Sequence, residues 1–294
     1  MARAGAAVAG SGGLVTDEHA DAAPVSSADP RAVPLTLWRH REVVWQLARR
    51  EVVTRYRGSM LGMFWAFGVP LIMLAIYTVV FGLVFQVRWP MPVEDRSGFA
   101  LILFAGLVVY SIFSECVVRA PSLVLTHGTY VKKIVFPLEV LPWVVMATAL
   151  FHAAVSLVVL VLARTVLQGP PPWTVVLLPV ILTPCILFTM GLSWLLASLG
   201  VFFRDIAQTV GLLTMAVLFL SPVFYPVSAL PEGLRIWIWL NPLTAPIEQV
   251  RGALFLGETP TWGEFFVAVV IAYGVAWAGL AWFQKTRPSF ADVL

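Results

Sequence analysis

Apolar residues in this chain gather into six long runs, approximately Leu61–Phe85, Phe99–Val118, Leu141–Leu167, Trp173–Val201, Ile206–Phe224 and Phe265–Phe283. At about 1.5 Å per helical residue each can cross roughly 30 Å of hydrocarbon. Within that medium every backbone polar group must find its partner inside the chain, which admits helices and closed barrels only. The pattern therefore predicts an all-α polytopic membrane protein with six transmembrane helices. The fourth run contains Pro179 and Pro184, which remove backbone donors and predict a kink.

The flanking polar segments have their own patterns. Residues 1–34 are rich in Ala, Gly, Ser and Asp and lack apolar periodicity, so they read as a disordered tail. Gly10, Gly12, Gly13, Asp17, Glu18 and Asp21 interrupt the apolar core that a signal peptide would need. Within 35–58, Leu37, Trp38, Val44, Trp45, Ala48, Val52 and Tyr56 fall on one side at 100° per residue, with Arg39, Glu42, Gln46, Arg50 and Arg57 opposite. That is an N-terminal amphipathic interface helix. Arg41, Glu51 and Arg55 fall on its apolar side and need water, lipid phosphate or another helix as partner. The six-span domain then occupies 59–287, and 288–294 forms a C-terminal tail.

Between the fifth and sixth runs lie two apolar pieces, Leu234–Leu240 and Ala253–Leu256, separated by Asn241, Pro242 and Pro246. Each is too short to span. They suit short re-entrant outer helices, the alternative being a loop on the headgroups with Trp237, Trp239 and Trp262 as belt residues.

Composition and charge narrow the function classes. Of the 294 residues 60% are apolar and 12% charged, against roughly 45–50% and about 25% in a soluble domain, which leaves little room for an extramembrane domain. Cys116 and Cys185 both lie in apolar runs, so no disulfide framework or Cys-rich metal site is available. With the N-terminus inside, the inner segments hold Arg3, Arg31, Arg39, Arg41, Arg49, Arg50, Arg55, Arg57, Arg119, Lys132, Lys133, Arg204, Lys285 and Arg287, 14 of the 19 basic residues. The positive-inside bias places both termini in the cytosol. Nucleic acid is not the natural partner of such a chain.

Catalytic chemistry is poorly represented. Glu115, His152 and Arg164 are the ionisable residues well within the runs; the first and last lie near enough to span ends to snorkel, and a lone His is more often packed than catalytic. Gly191-Leu192-Ser193 invites comparison with rhomboid-type serine proteases, but Trp194 replaces the second glycine and all four histidines precede Ser193. Carboxylates at outer positions, Glu94, Asp95, Glu232, Glu248, Glu258 and Glu264, are scattered singly and read as solvated loop charges. No G-x-x-x-x-G-K-[ST] loop occurs, so usual P-loop ATP binding is absent. Gly58-Ser59-Met60-Leu61-Gly62 matches G-x-x-x-G, a pattern that reads as close helix packing or as chance.

Four separated segments together resemble the permease subunit of type-2 ABC exporters of lipid-linked polysaccharide, the O-antigen, capsule and teichoic-acid exporter family. They are Arg49-Arg50-Glu51 with Arg55-Tyr56-Arg57-Gly58-Ser59-Met60-Leu61-Gly62, Trp65, Pro70 and Tyr77-Thr78-Val79-Val80-Phe81; Lys132-Lys133-Ile134-Val135-Phe136-Pro137-Leu138-Glu139-Val140-Leu141-Pro142; Phe202-Phe203-Arg204-Asp205-Ile206; and Ser221-Pro222-Val223-Phe224-Tyr225 with Asn241-Pro242. They occur in the family's order, over a resemblance running from about Leu37 to the C-terminus.

The resemblance implies a homodimer with two cytosolic ATPase subunits, in which ATP and Mg bind the partner and no cofactor binds this chain. It implies an inner-membrane exporter, not an enzyme, that moves a lipid-linked glycan, O-antigen type foremost, among membrane lipids. An exporter of a drug or small lipid and a membrane enzyme of glycan assembly are the alternatives. Thr129, Tyr130, Lys132 and Lys133 are expected to couple to the ATPase, with Arg204 and Asp205 as a second contact. The lysines are equally readable as topology signals on anionic lipid, and Arg204 with Asp205 as a local ion pair. Arg55, Tyr56, Arg57 and Glu139 are expected to anchor the interface helix, with Arg55 or Arg57 pairing Glu139. Phe64, Trp65, Tyr77, Tyr110, Trp194 and Tyr225 are candidate glycan-channel aromatics, since sugar C–H faces pack on rings, or else packing and belt residues.

Overall fold

The computed structural model describes residues 29, 31–84, 96–127 and 136–293. Apart from Asp29 and residues 31–34, the segment read as a tail lies outside them. In chain order, α1 (Ala32–Arg39) and α2 (Arg41–Tyr56) lead into α3 (Gly62–Phe81), α4 (Gly98–Thr126), α5 (Leu138–Gln168) and α6 (Trp173–Phe202). α7 (Ile206–Leu220), α8 (Glu232–Trp239) and α9 (Thr244–Arg251) precede α10 (Trp262–Ser289). The described residues contain no strand. Of these helices α3, α4, α5, α6 and α10 are long and apolar enough to cross a membrane, five among the described residues.

The fifth apolar run behaves differently from expectation. Its helix stops after 15 residues, about 22 Å and short of the roughly 30 Å hydrocarbon core. Ser221 is extended (ψ 149°) because Pro222 follows, and a residue before proline is disfavoured in the α region. The single amphipathic helix is likewise two. The chain bends at His40 (φ −111°, ψ 18°), so α1, which starts at Ala32, packs on α10 while α2 packs on α5. Val44, Ala48 and Val52, four residues apart, form α2's buried stripe. Trp38 and Trp45 stay exposed, and the Arg41 guanidinium sits 5.0 Å above the Trp38 ring.

α4 is the centre of the bundle, touching α5, α6, α7 and α9, with Leu101, Ile102, Leu103, Ala105 and Ile112 fully enclosed. α6 crosses α10 with the two backbones in contact. A Cβ on Gly191 would overlap the Val275 carbonyl, and one on Gly279 would overlap the Gly191 carbonyl, so small residues let two backbones touch where no hydrophobic force separates helix from lipid. Ser198 and Thr286 hydroxyls hydrogen-bond across the same seam at 2.7 Å. By contrast Gly58 (φ 87°) and Gly62 (φ 51°) of the G-x-x-x-G match have nothing near a built Cβ. They shape the turn between α2 and α3 and do not pack helices. The fourth run, where a kink is expected, has a one-residue interruption at Leu182 between two segments that each carry a proline at the second position, Pro179 and Pro184, with Leu182 itself in the α region.

Candidate functional site

Glu51 and Arg55 are four residues apart on one face of α2, and Glu115 and Arg119 repeat that spacing on α4. The two helices run antiparallel here, so the pairs cross-match: Arg55 Nη1 donates to Glu115 Oε1 at 2.7 Å and Arg119 Nη2 donates to Glu51 Oε1. Arg119 Nη1 also lies 3.7 Å from Glu115 Oε1. α5 contributes His152, whose Nδ1 is 3.2 Å from both Arg55 Nη1 and Glu115 Oε2. Tyr56 stands edge-on to the imidazole, ring centroids 6.2 Å apart. Burial pushes the Tyr56 hydroxyl above its usual range, opposed by Arg55 and aided by Glu115. Glu51 and Arg55, on the apolar side of an amphipathic helix, thus find a second helix as partner.

Beside this cluster lies a cavity of about 830 Å³, with Arg50, Glu51, Arg55, Glu115, Arg119 and His127 among its walls. α2 forms one side and the ends of α4 and α5 the other. The cluster joins three helices through ion pairs that solvent in the cavity can reach, which is a geometry for a contact that can be made and released. No nucleophile is paired with a base there, and no group of three or more His, Cys, Asp or Glu is placed to hold a metal among the described residues.

A second constellation was not legible in the sequence. Arg251 at the end of α9 is fully buried. Its Nε donates to Ile102 O (3.1 Å), Nη1 to Pro222 O (2.6 Å) and Glu248 Oε1 (2.9 Å), and Nη2 to Val223 O (2.7 Å). One side chain thereby ties α4, the break after α7 and α9 together. Gly106 makes the room, since a Cβ there would meet Arg251 Nη2 at 2.7 Å. Burial pushes Glu248 above the usual carboxylate range against the pull of Arg251, and lowers Arg251 to about 10. Glu248, read as a solvated loop charge, is instead the half-buried partner of a fully buried arginine. The available signal was an i,i+3 Glu–Arg pair leading into Gly252-Ala253-Leu254.

The expected site residues fare unevenly. Thr129, Tyr130, Lys132 and Lys133 lie outside the described residues. Arg204 and Asp205 are exposed at the α6–α7 turn and form no ion pair with each other among the described contacts. Arg57 is exposed. Glu139 does not pair with Arg55 or Arg57: Arg287 Nη1 holds it at 3.0 Å. Arg55 meets α5 at His152, 13 residues beyond Glu139 by number and so about 20 Å away along the helix, whereas the end of α10 returns beside the start of α5.

Trp194 is withdrawn from the channel candidates, because it is fully buried, donates to Glu139 O at 3.0 Å and packs edge-on against Trp143. Tyr110 and Tyr225 are half-buried and donate to Thr214 O and Phe219 O. Phe64 and Trp65 are exposed near the start of α3. Tyr77 belongs to a ladder that sequence reasoning missed, Tyr77–Phe81–Phe224–Phe219 with Phe99 beside Phe81, centroids 5.5–6.4 Å apart. Arg164 does not snorkel; it is buried, donates to Gly169 O and lies 5.9 Å from the Phe255 ring. Ser193 only back-bonds to Thr189 O within its helix.

Comparisons with known proteins bear on this arrangement. A family model described as ABC-2 type transporter matches residues 42–255. The O-antigen export system permease protein RfbA of Myxococcus xanthus is 28% identical over 258 residues, 87% of this chain and 96% of that protein. RfbA of Klebsiella pneumoniae is 27% identical, with 84% and 93% covered. The capsule polysaccharide export inner-membrane protein CtrC of Neisseria meningitidis serogroup B is 23% identical, with 83% and 91% covered.

Proposed function

The chain belongs to the ABC-2 type transporter family, and on that premise we propose that it is the membrane-spanning subunit of an ATP-driven exporter of lipid-linked polysaccharide, O-antigen type foremost. The observation that carries the reading is its alignment along 96% of a permease named for O-antigen export, by a chain that is itself a multi-pass membrane protein. A capsule export protein among the relatives supports the same substrate class.

In this reading two copies enclose the path and two cytosolic ATPase subunits supply the energy, consistent with the missing P-loop motif. Both termini lie in the cytosol and the membrane is the bacterial inner membrane. α7 is the fifth of six crossings, completed by the Ser221–Phe224 turn, whose Pro222 and Val223 carbonyls accept hydrogen bonds from Arg251. The ladder of Tyr77, Phe81 and Phe224 offers rings on which sugar C–H faces pack. The step is vectorial, so the chain needs movable contacts more than reactive groups.

The test is co-purification of the tagged, detergent-solubilised chain with its ATPase, with and without the double substitution Lys132→Ala and Lys133→Ala. Retention by the native chain and loss in the variant is the expected result and places coupling at the segment holding the lysines. Failure of any ATPase to associate with the folded native chain overturns the exporter.

A further inference from the structure

We propose that His152 is a positioning residue of the transport cycle, whose protonation dislodges Arg55 from Glu115 and so frees the end of α2 that walls the 830 Å³ cavity. The purpose given to this latch rests on the transport reading above; its geometry does not.

The argument begins with one nitrogen. His152 Nδ1 lies 3.2 Å from a donor, Arg55 Nη1, and 3.2 Å from an acceptor, Glu115 Oε2. It can accept from the first or donate to the second, but not both. In the proposed resting state the imidazole is neutral with its proton on Nε2, so that Nδ1 accepts from Arg55 and the guanidinium bridges His152 and Glu115. With the imidazole protonated, Nδ1–H turns to Glu115 and faces an N–H of Arg55 donor to donor. Nε2 is buried without a hydrogen-bond partner among the described residues, so its proton is unmet in both forms and does not decide between them.

Charge points the same way. The groups facing His152 are Arg55 and Tyr56 from α2 and Glu115 from α4, with Arg119 and Glu51 completing the cluster. Two guanidiniums and two carboxylates balance, and an imidazolium adds one positive charge beside Arg55. The cation that leaves is the one water can receive. Arg55 is 53% exposed and bound through one carboxylate, whereas Arg119 is 37% exposed and held between Glu51 and Glu115. Once Arg55 departs, the end of α2 keeps the Val44–Ala48–Val52 stripe, the Glu51–Arg119 pair and the edge-on contact of Tyr56 with His152. Export would then respond to acidification through this one side chain.

Hydrogen exchange read by mass spectrometry on the full-length chain in lipid nanodiscs, at pH 7.5 and 5.5 and corrected for intrinsic rates, tests this. A one-proton switch changes an opening equilibrium by up to about tenfold per pH unit. The peptide covering Arg49–Arg57 should therefore lose at least about threefold in protection at pH 5.5. His152→Gln, which offers an acceptor and a donor without titrating, should abolish the response, and Glu115→Gln should loosen α2 at both pH values. Peptides around Gly191 and Gly279 report whether each variant is folded, and His152→Asn serves if the glutamine variant is not. The same pH response in wild type and the neutral variants, or none in wild type, overturns the proposal. Because exchange is measured on this chain alone, that failure is separable from failure of the exporter reading, which ATPase association decides.

Discussion

Replacing Arg251 by Met removes the cation that ties α4, the break after α7 and α9 into one unit, while roughly keeping side-chain volume. Four hydrogen bonds disappear, three of them to the backbone carbonyls of Ile102, Pro222 and Val223 and one to Glu248. Double-mutant cycles put a hydrogen bond in a membrane protein at about 0.6 kcal/mol on average, so four give about 2.4 kcal/mol. Breaking a buried ion pair from one side has cost about 3–5 kcal/mol, because the surviving charge is stranded. Glu248 is not sealed off and can take up a proton, since burial already raises it, which argues for the lower end, about 3 kcal/mol.

The assay is thermal unfolding of the purified chain in detergent, for Arg251→Met, Glu248→Gln and the pair. The Met variant should lose several degrees, on the order of 6–12 °C at about 2–4 °C per kcal/mol. Glu248→Gln should lose much less, because the three carbonyl contacts survive. The double variant should be more stable than the sum of the single losses predicts, because no stranded carboxylate remains. If Arg251→Met unfolds within a degree of wild type, the reasoning that this cation organises the α4–α9 contact is wrong.

Three further outcomes follow from the packing. Gly279→Ala should lower thermal stability markedly, because its Cβ would overlap the Gly191 backbone carbonyl, whereas Gly211→Ala and Gly233→Ala, with nothing near a built Cβ, should be neutral or gain about 0.5–1 kcal/mol from helix propensity; equal losses at all three sites would contradict the α6–α10 crossing. Glu139→Arg with Arg287→Glu should recover stability lost in the single variants, while Glu139→Arg with Arg55→Glu should not, and rescue by the second pair would restore the partnership expected from sequence. Cys116 and Cys185 are both buried, so a maleimide should label neither in the folded chain and both after denaturation in detergent; rapid labelling under native conditions would show that α4 or α6 packs otherwise.

Much of the membrane architecture was legible because hydrocarbon reads the chain one segment at a time. Five of six apolar runs are helices of spanning length, and the interruption in α6 falls at Leu182, between the two prolines. The run that fell short did so at Ser221-Pro222, a local signal hidden inside an apolar stretch. Site chemistry was legible only in part. Glu51 and Arg55 were marked as needing partners by their position on α2, yet Glu115, Arg119 and His152 come from residues 60 or more positions away. Trp194 and Tyr77 looked alike as aromatics in apolar runs, and one is sealed against Glu139 while the other joins a half-buried ladder.

Length and apolarity determined what kind of molecule this is, because insertion into a bilayer depends on each segment's own transfer free energy. Which face of each helix turns inward was decided only in three dimensions. In a chain that is 60% apolar, lipid-facing and core-facing positions carry the same side chains, so periodicity distinguishes them weakly. The close pairing of Gly191 with Gly279, the choice of Arg287 for Glu139 and the enclosure of Arg251 all depend on helix crossings that no single segment encodes.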